Sequence, residues 1–117
     1  MFVRSHHVIS VTGKVIKDIE LTFDENDEAN TRLSIPTNNM IGYEDDKPVY
    51  ETTWFEVTLK GKDALVAERE LQKGDSIQII GTLRPEPKIR ELRDGRTVGI
   101  YELIPKEIIY LLGKNGE

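Results

Sequence analysis

One segment, residues 52–83, constrains the fold of this chain most strongly. An apolar strand pattern over residues 50–60 leads into a helical pattern over 62–72, and a second apolar strand pattern follows over 76–83. We expect the helix to end at Lys73-Gly74, because glycine readily adopts the left-handed cap. The segment therefore predicts a single helix inserted between two strands.

The remainder of the chain predicts more strands and no second helix. Strand patterns occupy residues 8–16, 31–35, 50–60, 76–83 and 97–112. We expect a bulge or bend at Gly13, an end or an edge at Pro36, and a break near Pro105. Residues 38–48 indicate a long loop or β-ribbon. Arg93-Asp94-Gly95-Arg96 indicates a hairpin, since Asp-Gly tolerates positive φ.

This order of elements predicts an all-β fold. Five strands with one α-helix between the third and fourth are the layout of an oligonucleotide-binding (OB) barrel. The chain has 117 residues, about the size of one domain, so we assign residues 1–112 to the barrel and 113–117 to a short tail.

The charge of the chain is unevenly distributed. Net charge is −5, which by itself disfavours a nucleic-acid partner. Residues 24–51, however, contain eight acidic and two basic residues, so the rest of the chain is close to neutral. Binding depends on the charge around a groove, and the overall charge is therefore a weak exclusion.

Trp54 is the chain's single tryptophan and its strongest binding candidate. Alternation along residues 50–60 puts Phe55, Val57 and Leu59 on the core face and Trp54 on the opposite, outer face. Proteins that bind single strands use such aromatic side chains to stack bases. The other interpretation is an ordinary surface or interface aromatic.

Basic residues near the Asp-Gly hairpin are a second candidate. Arg84, Lys88, Arg90, Arg93 and Arg96 are interspersed with three acids. Such a cluster can follow a phosphate backbone, or it can be a solvated ribbon.

Other chemistry finds little support in the sequence. His6-His7 and Glu44-Asp45-Asp46 lack a metal-ligand pattern, and we expect no metal and no cofactor. Nucleophile-elbow, P-loop and dinucleotide motifs are absent, so we expect no catalysis. Without cysteine or a long apolar run, we expect a cytoplasmic protein with no membrane partner.

Over residues 8–112 the chain resembles the DNA-binding domain of the bacterial single-stranded DNA-binding protein family. The resemblance depends on the order and spacing of short motifs: Val11-x-Gly13, Lys17-Asp18-x-Glu20-Leu21, Thr53-Trp54-Phe55-x-Val57, Gly61-Lys62-x-Ala64, Leu71-x-Lys73-Gly74-Asp75, Gly81-x-Leu83-Arg84 and Asp94-Gly95.

The resemblance implies an OB barrel, usually a homotetramer, around which single-stranded DNA wraps by base stacking and phosphate contacts. A dimer is also compatible with the sequence, and replication or repair proteins are possible partners. By position, Trp54 matches a stacking aromatic, and four basic residues match positions facing the DNA: Lys62, Lys73, Arg84 and Arg96. With the residues argued above, the expected contacts are Trp54, Lys60, Lys62, Lys73, Arg84, Lys88, Arg90, Arg93 and Arg96. The expected location is the nucleoid.

The chain departs from the family pattern at several binding positions. Met40, Lys60 and Lys88-Ile89 stand where family members usually have aromatic residues, and Glu56 replaces a frequent basic residue. The family's acidic tail is not found at residues 113–117. An alternative function is therefore an OB-fold module that docks onto a replication protein and binds DNA weakly or not at all.

Overall fold

The computed structural model describes residues 7–111. His6 and the expected tail over 113–117 lie outside the described residues.

These residues form β-strands and one α-helix. Their bounds are β1 (Ile9–Lys14), β2 (Thr22–Phe23), β3 (Ala29–Glu44), β4 (Lys47–Lys60), α1 (Lys62–Glu70), β5 (Ser76–Leu83), β6 (Lys88–Glu91) and β7 (Thr97–Leu111). The predicted mostly-β class with one helix is confirmed. The five predicted strands correspond to β1, β3, β4, β5 and β7, while β2 and β6 are short additions, so α1 follows the fourth strand in chain order.

The strands join one seven-stranded sheet. The order is β1-β5-β7-β4-β3-β2, with β6 paired to β7. Neighbours are antiparallel except β4 and β7, which run parallel. Within residues 7–111 the hydrogen-bonded sheet does not close into a barrel. It therefore differs from the closed barrel of five strands that the sequence predicted.

The sheet nevertheless curls until β1 lies against β3. A Cβ added at Gly13 would lie 2.7 Å from Ile35 Cγ2 and 3.3 Å from the Pro36 carbonyl oxygen. The ladder between β1 and β5 passes through Gly13 without a register shift, so of the two possibilities predicted there, a bulge or a bend, the bulge is wrong. Glycine is needed at this position because the two strands approach each other closely.

The core lies inside this curl. Its largest fully buried side chains come from four strands and the β1–β2 connection: Val15, Leu33, Ile35, Val57, Leu59, Ile77, Ile79 and Leu103. α1 adds Ala64 and Ala67. Phe55 packs partly buried against this cluster. The predicted core face of β4 is confirmed.

Of the end or edge predicted at Pro36, the edge is confirmed: the strand continues, but β2 pairs only with residues 29–30 of β3, so within the described residues Pro36 is paired with β4 alone. Pro36 pairs with Trp54 within a long β3–β4 ladder that runs to a two-residue turn at Asp45 and Asp46. Both turn residues have positive φ, 49° and 64°, which aspartate tolerates better than most residues. Residues 38–48 therefore form a β-ribbon, and two of the three consecutive acids make its turn.

The end of α1 differs from the prediction. The helix ends at Glu70, and Leu71 follows in extended conformation and is buried in the core. Burial of Leu71 requires the chain to leave the helix before Gly74. The glycine instead forms a later turn with φ 95°, in which its N–H donates to the Val15 carbonyl oxygen at 2.7 Å.

The last strand bends near Pro105 without breaking. Gly81 of β5 pairs with Pro105, but Ile80 pairs with Glu107, so one extra residue of β7 bulges out. A Cβ at Gly81 would meet the Ile104 carbonyl oxygen well inside contact distance. Only glycine lets the two backbones approach this closely. The predicted hairpin at Asp94-Gly95 is confirmed.

Candidate nucleic-acid interface

The outer face of the β3–β4 pair carries polar and aromatic side chains. Because side chains alternate along each strand, one face holds residues 54, 56 and 58 of β4 and, directly opposite, 36, 34 and 32 of β3. Trp54 is partly exposed on this face. The prediction that Trp54 points away from the core side of β4 is confirmed.

A polar cleft of about 480 Å³ lies over this face. Lys17, Asp18 and Glu20 of the β1–β2 connection form one wall together with Thr22 of β2. The floor is the β3–β4 pair, and Arg90 of β6 also lines the cleft. Proteins with the OB fold bind oligonucleotides on the face of their central strands, between loops that connect neighbouring strands.

Glu56 lies at the centre of the basic residues around this cleft. Its carboxylate is within 3.7 Å of Arg32 Nε, 3.7 Å of Arg90 Nη2 and 4.0 Å of Lys88 Nζ. The Glu56 side chain is only 5% exposed, whereas the three basic side chains are 50–59% exposed. A carboxylate buried this deeply needs positive partners, since an unpaired buried charge is costly.

A second carboxylate extends the network along β7. Glu102 Oε1 is 3.5 Å from Arg84 Nε and 3.7 Å from Lys88 Nζ. Glu102 pairs across the parallel ladder with Glu56, so Lys88 bridges two strands. Arg84 is also fixed through its backbone N–H, which donates to the Glu102 carbonyl oxygen at 2.9 Å.

The structure brings four of the expected basic residues to this region. Lys88 and Arg90 join the Glu56 network, and Lys60 and Arg84 line a neighbouring hollow beside Glu102.

The other expected basic residues lie apart. Lys62 lines a different hollow with Tyr110, and Lys73 is exposed in the turn after α1. In the β6–β7 turn Arg93 is exposed, and Arg96 pairs with Asp94 at 2.7 Å.

A bulge aligns further aromatic side chains with Trp54. Along β4, Tyr50 shares the face of Trp54, and Met40 lies opposite Tyr50. The extra residue Ile41 shifts the register, so that Tyr43 pairs with Pro48 and returns to this same face. Tyr43 and Tyr50 are 68% and 58% exposed.

Sequence reasoning missed two members of the interface. Arg32 could have been found from alternation, because it follows the same period as Pro36. Glu102 gave no such signal: its position beside Glu56 depends on the parallel pairing of β4 with β7, and neither strand's pattern predicts that pairing.

Two side chains near these surfaces have shifted pKa values. The backbone N–H groups of Glu28 and Asn26 donate to the Asp24 carboxylate and lower its pKa below 3.8. Partial burial, together with the charges of Asp63 and Glu70, raises the pKa of Tyr110 above 10.0. Neither group lines the Glu56 cleft.

His7 has a structural role in the described part of the chain. Its Nε2 accepts a hydrogen bond from the Leu83 backbone N–H at 3.0 Å. Residues 7–111 contain no group of three or more metal-ligating side chains. No helix among them is long and apolar enough to cross a membrane.

Comparison with known proteins agrees with this geometry. Residues 6–107 match the model of the single-strand binding protein family. The chain is 25% identical over 107 residues to the single-stranded DNA-binding proteins of two Neisseria meningitidis strains, of serogroups A and B. The match covers 92% of this chain and 60% of each relative, so the chain spans less than two thirds of their length.

A solved structure shares the fold. It is described as the Plasmodium falciparum SSB complex with ssDNA, and it superposes with a TM-score of 0.69 at 17% identity. The superposition covers 95% of this chain and 99% of that chain.

Proposed function

This chain belongs to the single-strand binding protein family, and from that premise we propose that it binds single-stranded DNA without reading its sequence. The observation that carries the proposal is the position of Trp54, partly exposed on the outer face of β4 and two residues from Glu56, which lines a cleft together with Arg32 and Arg90. A flat aromatic surface next to cations accommodates any base with its phosphate.

We propose that Trp54 stacks a base and that nearby cations contact phosphates. The nearby cations are those that line the two hollows or contact Glu56: Arg32, Lys60, Arg84, Lys88 and Arg90. Basic residues farther away would contact the strand only along a longer path: Lys62, Lys73, Arg93 and Arg96. Each phosphate neutralised lowers the slope of log affinity against log salt by about 0.7.

The ribbon extends this binding face. Tyr50 lies four residues before Trp54, about 14 Å along an extended strand, and Tyr43 continues beyond it. We propose that these two rings compensate for the methionine at position 40. Base stacking is worth about 1–3 kcal/mol per base, so two additional platforms matter for affinity.

The finer architecture and biology are also proposals. We infer that the curled sheet acts as a five-stranded OB barrel, with β2 and β6 as extensions, and that the protein is a non-catalytic homo-oligomer, a tetramer or a dimer. Its processes would be DNA replication, recombination or repair at the nucleoid. Light scattering tests the assembly, and a monomer would contradict it.

The experiment for the main proposal is titration with oligo-dT of several tens of nucleotides, followed by Trp54 fluorescence at low and moderate salt. Because Trp54 is the single tryptophan, its quenching reports one place in each subunit. We expect saturable quenching that weakens with salt. A folded oligomer whose fluorescence is unchanged at low salt would refute stacking at Trp54.

One observation favours the alternative, a protein-interaction module. Met40, Ile41, Tyr43 and Tyr50 each expose more than half of their surface on a ribbon with an acidic tip. A cluster of exposed apolar side chains is typical of a protein-binding surface. Absence of oligo-dT binding by the folded protein, in the titration above, would favour this function.

A further inference from the structure

Glu56 occupies an unusual place for a carboxylate on a surface that would bind phosphate. It lies beneath Arg32, Lys88 and Arg90, which come from two strands that are not paired with each other, β3 and β6. All three cations keep about half of their side-chain surface in solvent, while Glu56 is almost covered. The carboxylate is thus already in the position of an anion bound to this cluster.

We infer that Glu56 is an internal competitor for DNA phosphate, and that it sets the affinity and the salt dependence of this face. The inference rests on the proposed function. In the free protein, Glu56 holds the three cations at 3.7–4.0 Å, distances at which charges attract without a tight hydrogen bond. A phosphate approaching from solvent must draw the same cations away from it.

The geometry of β6 makes this competition possible. In the described residues β6 pairs only with β7, and Lys88 and Arg90 reach from it across β7 to Glu56 on β4. Both side chains are long and half exposed, so they can rotate outward while the backbone stays in place. Glu56 itself cannot follow them, because it is fixed in the middle of a strand paired on both sides.

The consequence is a surface that binds less tightly than its cations would allow. Removing the carboxylate charge releases Arg32 and Arg90 to neutralise phosphate, while Lys88 keeps its contact with Glu102 at 3.7 Å. We expect Glu56→Gln to tighten oligo-dT binding by about tenfold at low salt. This factor corresponds to the summed interaction free energy of a few solvent-exposed ion pairs. The log–log salt slope should steepen by about 0.7 for each extra phosphate neutralised.

Glu51→Gln is the matched control. Glu51 is exposed on the same strand, an odd number of residues from Glu56, and therefore on the opposite face. Glu51→Gln changes the net charge by the same amount as Glu56→Gln, and we expect the affinity of this variant for oligo-dT to stay close to that of the wild type. Equal tightening in both variants would overturn the inference, because the effect would then be one of overall charge.

The test is anisotropy of labelled oligo-dT with the full chain, at several salt concentrations. Adding Arg90→Gln provides a readout that a purely structural role would not change: it should cost more affinity in the Glu56→Gln background than in the wild type. Glu56→Asp, which keeps the charge but withdraws it by one methylene, should give an intermediate affinity and covers the case in which the glutamine variant does not fold.

The outcomes separate the two proposals. If the wild-type protein binds oligo-dT and the folded Glu56→Gln variant binds it equally well or more weakly, the inference that Glu56 competes with phosphate is overturned, and the proposed DNA binding is not. Binding by neither protein overturns the competitor and the proposed DNA-binding function together. Binding by Glu56→Gln only would be the strongest form of support.

Discussion

Gly81→Ala is the most decisive test of the fold that positions the interface. Gly81 is where β5 and β7 change register, and three residues later the chain reaches Arg84. A Cβ at this position would lie 3.0 Å from the Ile104 carbonyl carbon and 3.2 Å from Pro105 Cα, with the Ile104 carbonyl oxygen nearer still. All three are backbone atoms, which cannot move aside by a change of rotamer.

The cost follows from that geometry. Overpacking typically destabilises by about 1–3 kcal/mol, and we expect about 3 kcal/mol here because the obstructing atoms belong to paired backbone. Each 1 kcal/mol corresponds to about 4–8 °C in domains of 60–100 residues and to less in larger ones, so the Tm of this 117-residue chain should fall by roughly 10–20 °C. Gly81→Ala should also weaken DNA binding, since Arg84 and Glu102 flank the strained ladder.

Gly99→Ala is the matched control within β7. The nearest atom to a Cβ there is Pro87 Cβ at 3.8 Å, an ordinary contact. Alanine at a compatible glycine restricts the unfolded chain, so stability should stay level or rise by about 0.4–1 kcal/mol. The stability of both variants is measured by thermal and urea unfolding, followed by circular dichroism at one protein concentration. Equal stability of the two variants would refute the argument from backbone contact.

Three further predictions concern the binding face and the acidic turn. Trp54→Ala should weaken oligo-dT binding by about 1–3 kcal/mol, with Trp54→Phe between it and the wild type in anisotropy titrations, and equal affinity of all three would refute stacking. Tyr43→Ala and Tyr50→Ala should each weaken binding by a smaller amount, and more on long oligonucleotides than on short ones; no dependence on length would argue against a ribbon path. Because the folded pKa of Asp24 is lowered, its contribution to stability is fully present above pH 3.8 and is lost as pH falls through the folded pKa, so Asp24→Ala should be destabilising at neutral pH and near neutral in strong acid. Urea unfolding against pH measures it, and a difference that persists below the folded pKa would contradict the assignment.

Local patterns predicted most of the architecture. Alternation along β4 predicted the face of Trp54, and Asp-Gly predicted the β6–β7 turn, because both depend on neighbours in the chain. At Pro36 the local pattern left two possibilities, an end or an edge, and the structure has an edge, because within the described part of the chain β3 pairs there with β4 alone. A proline is tolerated where its nitrogen faces away from the partner strand, and only the pairing with Trp54 reveals that.

The interface was less predictable than the fold. The basic residues near the hairpin were identified as a group, but the sequence did not distinguish Arg90, which reaches Glu56, from Arg96, which pairs with Asp94 in its own turn. Glu56 was noted as a reversed charge. Its near-complete burial arises from strands far apart in sequence, and so did not follow from the local pattern.

The bulge at Ile41 also affects how relatives of this chain should be compared. An alignment counts positions along the chain, and by that count the ring that the family usually places before Trp54 is missing here. A strand of DNA meets positions across the ladder, and one extra residue returns a tyrosine to the same side three residues later. Family members with such an insertion would be scored as lacking an aromatic side chain on this face, so the faces of these proteins should be aligned by strand register.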